Sequence, residues 1–173
     1  MALVVEDGTG LSTAESYISV ADASTYHTNR GNAAWAALAS DTVREQCLRK
    51  ATDYMVAMYR NSWQGCRVDD DQALDWPRSG CVVDGISVDD DIVPTPIKNA
   101  CAELALKVAS GDLYADQARG TVSETVGPIS VTYDVNSPQR VRYSFVEAVI
   151  APFLSATGSN SAMMTVHPHV CGE

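Results

Sequence analysis

Positive charge is scarce in this chain: 12 Lys and Arg stand against 22 Asp and Glu, giving a net charge of −10 and a pI near 4.6. Such a balance repels nucleic-acid phosphate unless the basic residues gather on one face. Arg44, Arg49, Lys50 and Arg60 are instead spread along one stretch, and Arg140 with Arg142 makes only a small pair. No stretch of about 18 apolar residues occurs, and the start, MALVVEDGTG, has no basic region ahead of a long apolar run. A soluble protein made in the cytoplasm is the expectation. The five cysteines, Cys47, Cys66, Cys81, Cys101 and Cys171, are odd in number and lack CxxC spacing, so they imply no disulfide framework. Cys47 and Cys101 fall on apolar helical faces and read as core residues.

Catalytic signatures are missing as well. Ser79 before Gly80 has no GxSxG elbow, and no GxGxxG or GxxxxGK[ST] loop precedes a helix. His27 lies on an expected helix with no evident acid partner and reads as a surface histidine. Asp69 to Asp71 and Asp89 to Asp91 bring oxygen ligands without the alternating spacing of a calcium loop, so solvated loops are expected. His167, His169 and Cys171 have zinc-ligand chemistry at alternate positions, but lack a fourth ligand and a fixed backbone. No enzyme activity, metal or cofactor is expected.

What the chain does contain is helical patterning, with 46% hydrophobic and 20% charged residues, a composition able to build one real core over 173 residues. Ser19 as N-cap and Asp22 in the first turn predict a helix ending near Arg30-Gly31. A short helix is expected over Asn32 to Leu38. Ser40 then caps the longest helix, where Val43, Cys47, Leu48, Ala51, Tyr54, Met55 and Met58 recur at spacings of three and four. Thr95 as N-cap and Pro96 at the first helical position predict another, with Ile97, Cys101, Leu104, Ala105 and Val108 on one stripe that stops at Gly111. Cys81 to Asp91 reads as a loop with at most a short strand.

Thr121 to Asp134 alternates apolar and polar residues about Gly127-Pro128 and predicts a β-hairpin, which needs a neighbour to pack on. Ser144 with Glu147 predicts a capping box for a last helix to about Leu154, with Pro152 bending or ending it. Between the helical halves lies QALDWPRSG, a structural corner formed by Trp76, Pro77 and Arg78: proline forces its predecessor out of the helical region, the indole anchors the turn, and Arg78 can hold carbonyls or reach a neighbour. The tryptophans and tyrosines could stack on bases, Trp63 with Arg60 and Arg67 being the best local candidate. Three aspartates follow at once, and core or interface aromatics are the expectation. The resulting fold class is mainly α: a small helical bundle with a protruding β-hairpin and a C-terminal helix and tail. Its expected parts are an N-terminal arm over 1–13, a domain over 14–154 with the hairpin at about 121–134, and a flexible tail over 155–173.

The order ESYISVADASTYHTNRG, AWAALASDTVREQCLRKATDYM, QALDWPRSG and VPTPIKNACAELAL resembles a tailed-bacteriophage family of head-tail adaptor, or head completion, proteins often labelled DnaT-like single-stranded-DNA-binding proteins. The resemblance covers roughly 14–154, with Ser16-Tyr17, Trp76-Pro77-Arg78 and the helix from Pro96 to Leu106 as its most specific parts; the tail from about Ser159 departs from it. It implies a ring of the portal's twelvefold symmetry, seated beneath the portal protein and touching neighbouring copies and a tail or stopper protein. Packaged double-stranded DNA would pass through its lumen without sequence-specific binding, in the neck of the virion. The expected partner-binding residues are Val126, Ile129, Val131 and Tyr133 on the hairpin, and Tyr143, Phe145, Val149, Phe153 and Leu154 at the C-terminal helix. The alternative that the family label carries is a single-stranded-DNA-binding replication accessory protein.

Overall fold

A computed structural model of the protein describes residues 2–113, 123–126, 129–132 and 142–155. The architecture is mainly helical. Helices α1 (Val20–Asn29), α2 (Ala33–Ala36), α3 (Asp41–Tyr59), α4 (Thr95–Ser110) and α5 (Ser144–Ile150) are joined by two-residue strands β1 (Cys66–Arg67), β2 (Arg78–Ser79), β3 (Val82–Val83) and β4 (Ile86–Ser87), and by β5 (Ser123–Val126) and β6 (Ile129–Thr132). The strands pair only as antiparallel couples, β1 with β2, β3 with β4 and β5 with β6.

Local chemistry explains the main helices. Ser19 Oγ accepts from Asp22 N at 3.0 Å and Ser40 Oγ from Val43 N at 3.3 Å, so both expected N-caps are in place. On α3 the buried face is Cys47, Leu48, Ala51, Thr52, Tyr54, Met55 and Tyr59. Helix α4 buries Ile97, Ala100, Cys101, Ala102, Leu104 and Ala105. That width of apolar surface suits its place against α1, α2, α3 and α5. Thr52 Oγ1 meets Cys101 Sγ at 3.3 Å where α3 and α4 touch. Helix α4 is capped by Pro94 rather than Thr95, because the amides of Ile97 and Lys98 both reach the Pro94 carbonyl.

The first residues pack along the fold. Val5 bridges Ser16 in parallel, Glu6 N donates to Ser16 O at 2.9 Å and Glu15 N to Val4 O at 2.8 Å. Glu6 is 1% exposed, and its carboxylate accepts the amides of Gly8, Gly10 and Leu11, each at 2.9 Å, which closes the DGTGL turn from inside. Ala73 N then donates to Leu11 O, fastening this turn to the segment before the corner.

The expected hairpin is present over the described residues 123–126 and 129–132, with Val126 opposite Ile129. A second turn, at Asp84-Gly85 with both residues at positive φ, joins β3 to β4 within the segment read as a loop. Helix α5 stops at Ile150 and continues as a 3-10 turn over Ala151–Phe153 containing Pro152. Ser144 does not cap it: Tyr143 holds the cap position without a side-chain bond, and Glu147 is engaged by Arg142 at 3.3 Å. The chain then runs beside the end of α3, with Trp63 bridging Leu154, Gln64 N donating to Phe153 O at 3.0 Å and Ser155 N to Ser62 O at 2.7 Å.

Candidate functional site

The Trp-Pro-Arg corner is the polar and aromatic centre of the molecule. Trp76 is fully buried, its ring edge-to-face with Trp63 and with Phe153 at centroid distances of 5.7 Å. The Trp76–Pro77 peptide is cis. Arg78, buried, donates Nε to Gln64 O at 2.7 Å and its terminal nitrogens to Gly65 O at 2.6 Å and Asp75 O at 3.2 Å. Of its two expected roles, holding carbonyls is therefore the one it performs. Burial draws its pKa below the usual guanidinium value, against the opposing pull of Asp75.

Asp75 is fully buried and accepts Nε of Arg60 at 2.8 Å and Nε1 of Trp63 at 3.2 Å, while its own amide donates to the Tyr17 hydroxyl at 3.1 Å. Burial, with the Asp75 charge beside it, pushes the Tyr17 phenol upward. Trp63, Arg60 and Arg67 consequently form no base-stacking platform: Trp63 is 4% exposed, Arg60 faces Asp75, and Arg67 donates to Gln72 O at 2.9 Å.

The same holds for the other aromatic and cationic groups. Trp35 is buried and gives its Nε1 to Ser24 Oγ at 3.0 Å. Arg30 lies 3.6 Å over the Tyr26 ring, Arg44 donates to the carbonyls of Trp35, Ala36 and Leu38 and pairs with Asp41, and Arg49 pairs with Glu15 and Glu45. Every arginine among the described residues thus has an acceptor or ring within the chain, and every tryptophan is buried.

The C-terminal set divides. Phe153 is buried against Trp76, Tyr143 packs edge-to-face on Tyr54 at 5.7 Å, and Val149 and Leu154 pack partly buried on the core. Phe145 is 59% exposed. It lines a groove of ≈ 380 Å³ with Glu103 and Lys107 of α4 and with Arg142, Tyr143, Ser144 and Val146. Among the described residues Ile86 on β4 is the most exposed large apolar side chain, at 73%, with Val82, Val68 and Ile92 less so. Val126 ends β5, and Ile129 and Val131 lie on β6. Tyr133, His167, His169 and Cys171 lie outside the described residues.

His27, read from the sequence as a surface residue, is 1% exposed, because the last turn of α1 faces α2 and α4. Both aspartate runs are exposed, Asp69 Oδ1 accepting the amide of Asp71, and no group of three metal-ligating side chains assembles among the described residues. Cys47, Cys81 and Cys101 are free and buried, whereas Cys66 is disulfide-bonded, a pairing the cysteine spacing did not disclose. No described helix is long and apolar enough to cross a membrane. Sequence reasoning assigned no role to Glu6 or Asp75 and singled out Tyr17 only through the resemblance; for Glu6 the closely spaced glycines of DGTGL were the local hint, since such a turn leaves amides needing an acceptor.

The fold and this site define a mainly helical protein organised on a buried aromatic and arginine corner. The chain belongs to the family described as "Putative DnaT-like ssDNA binding protein", whose model matches residues 1–167. That description names single-stranded DNA and no portal, ring or tail protein. No curated protein and no solved structure matches the chain.

Proposed function

We propose that this protein is a structural head-tail connector of a tailed phage, a small helical bundle whose protruding hairpin and C-terminal helix join it to the portal and to neighbouring copies. The observation that carries this reading is the internal commitment of its described arginines and tryptophans. Every described tryptophan is buried and every described arginine is bonded within the chain. A net negative charge is suited to letting a duplex pass without adhering to the protein. On this reading the chain is no enzyme, takes no cofactor and works in the virion neck.

The family match favours a second reading, single-stranded-DNA binding. Such binding needs a basic groove with stacking rings. The groove beside Phe145 brings an exposed ring together with Lys107 and Arg142, but Glu103 lines it as well and Arg142 is paired with Glu147, so the described residues offer such binding only a weakly basic site. Two measurements separate the readings. Fluorescence anisotropy of a labelled single-stranded oligonucleotide should show no salt-sensitive binding, and quantitative mass spectrometry of DNA-filled particles should give a copy number near that of the portal. Salt-dependent oligonucleotide binding together with absence from particles would establish the second reading and sink the first.

A further inference from the structure

We propose that α2, with the turn that leads into it, is a pH-sensitive flap, latched by Asn32 to the buried ring of His27. His27 Nε2 lies 3.1 Å from Ala102 O. A carbonyl only accepts, so Nε2 carries the ring proton. Nδ1 lies 3.1 Å from Nδ2 of Asn32, the residue that caps α2, and accepts from it. The neutral imidazole therefore joins three elements with both nitrogens satisfied. A second proton on Nδ1 would set two donors against each other. Relieving that clash locally would require the Asn32 amide to turn over.

The surroundings are divided over an imidazolium: the Ala102 carbonyl and Glu103 favour it, while burial and Arg30 oppose it. On its own helix Arg30 stands nearby and opposes the charge, and Tyr26 meets the ring edge-on at 5.2 Å. From α4, Glu103 favours the charge, but its Oε1 is already taken by Tyr26 Oη at 2.9 Å. Helix α2 brings no titratable side chain, only the Trp35 ring at 4.8 Å. From α3, Arg44 adds a further positive charge at the carbonyls of the same segment. Burial dominates and holds the His27 pKa below its ordinary value.

The segment is built to respond. Helix α2 has four residues and no side-chain cap, too little to persist without its tertiary anchors. Beside the latch is an open surface pocket of ≈ 220 Å³ bordered by His27, Gly31, Asn32, Trp35 and Ala36. Protonation would leave the Nε2 bond to Ala102 O in place but break the Asn32 contact, so that α2, with Arg44 and the Trp35 indole as its remaining side-chain anchors, can lift and bare the Trp35 indole.

The test is amide and indole hydrogen exchange followed by NMR against pH, expressed as protection factors, on the full chain and on His27→Gln and Asn32→Asp. Gln can donate to Ala102 O and accept from Asn32 without titrating. In the second variant the new carboxylate would accept from a protonated Nδ1. In the parent chain the amides of 31–37 and the Trp35 indole should lose roughly tenfold or more in protection as His27 titrates, with α3 unchanged. His27→Gln should abolish that step, and Asn32→Asp should move the His27 midpoint up by about one unit or more. Loss of α3 protection at the same midpoint, an equal step in His27→Gln, or an unmoved midpoint in Asn32→Asp would each overturn the proposal.

Discussion

Replacing Trp76 separates two opposing terms at the corner. The side chain is 0% exposed and packs edge-to-face on Trp63 and Phe153. Among the described residues its Nε1 is the buried side-chain polar atom left without a hydrogen-bond partner. Trp76→Ala removes the whole ring and should cost about 3–5 kcal/mol. Trp76→Phe is the sharper perturbation. It leaves a residual void of roughly 40 Å³, which at about 24 cal/mol per Å³ costs about 1 kcal/mol, with about 1 kcal/mol more for the lost apolar transfer. Against that, it deletes a desolvated donor whose burial costs about 1–3 kcal/mol. The terms nearly cancel, so the Phe variant should lie within about 1.5 kcal/mol of the parent while the Ala variant falls well below it. Urea unfolding under non-reducing conditions, followed by far-UV circular dichroism, measures both. A Phe variant as unstable as the Ala variant would refute the reasoning, because it would mean that Nε1 makes a bond worth keeping.

Arg78→Lys should cost about 2–4 kcal/mol in the same assay, since an ammonium cannot reproduce the planar fork that meets three carbonyls and each charged bond is worth about 1.5–3 kcal/mol. Gly8→Ala and Gly31→Ala form a matched pair. Both positions have positive φ, but a methyl at Gly8 overlaps the Asp91 carbonyl while nothing lies within 4 Å at Gly31. The first should lose more than about 2 kcal/mol and the second about 1 kcal/mol. Stability should also fall on the alkaline side. Burial raises the Cys101 thiol to about 11, so the folded state keeps a proton that the unfolded chain releases near its ordinary value of 9.0. That contribution is whole below pH 9 and is lost as pH rises towards 11; Cys101→Ala should flatten this part of a pH series of urea midpoints. Phe145→Ser should leave the monomer's stability within about 0.5 kcal/mol, because the ring is mostly exposed. On the connector reading it should nonetheless reduce incorporation into particles, which immunoblotting of purified phage would show.

Helices α1, α3 and α4 were legible because their signals are local: a serine oxygen three residues ahead of the amide it receives, and apolar residues at helical spacing. The capping box at Ser144 failed for a reason also close at hand. Glu147 is drawn to Arg142, outside the helix, and does not turn back to the cap. The polar centre was not legible, since it is made by distant pairs. The amide of Asp75 finds a hydroxyl 58 positions earlier, at Tyr17, and His27 finds a carbonyl 75 positions later, at Ala102. No periodicity announces such partners. Glu6 is hidden differently: an acidic residue beside Asp7 reads as solvated, yet its neighbour faces water while it turns inward to three amides.

These distant pairs also bear on the choice between the two functions. A guanidinium that holds buried carbonyls, as Arg78 does, cannot be withdrawn to meet a phosphate without leaving those carbonyls unpaired, at about 1–3 kcal/mol for each group. Arg60 is half exposed, but swinging it to a nucleic acid would leave the carboxylate of Asp75 buried with Trp63 as its remaining side-chain donor. Leaving a buried carboxylate without its cation is costly, though water reaching the half-exposed side of Arg60 keeps the loss below that of a fully buried pair. One new bond to a phosphate does not offset that loss. The sharpest check is Arg60→Gln. If Arg60 serves Asp75, the substitution lowers stability and leaves oligonucleotide affinity untouched. A variant that keeps its stability and loses affinity in low salt would assign this face to DNA.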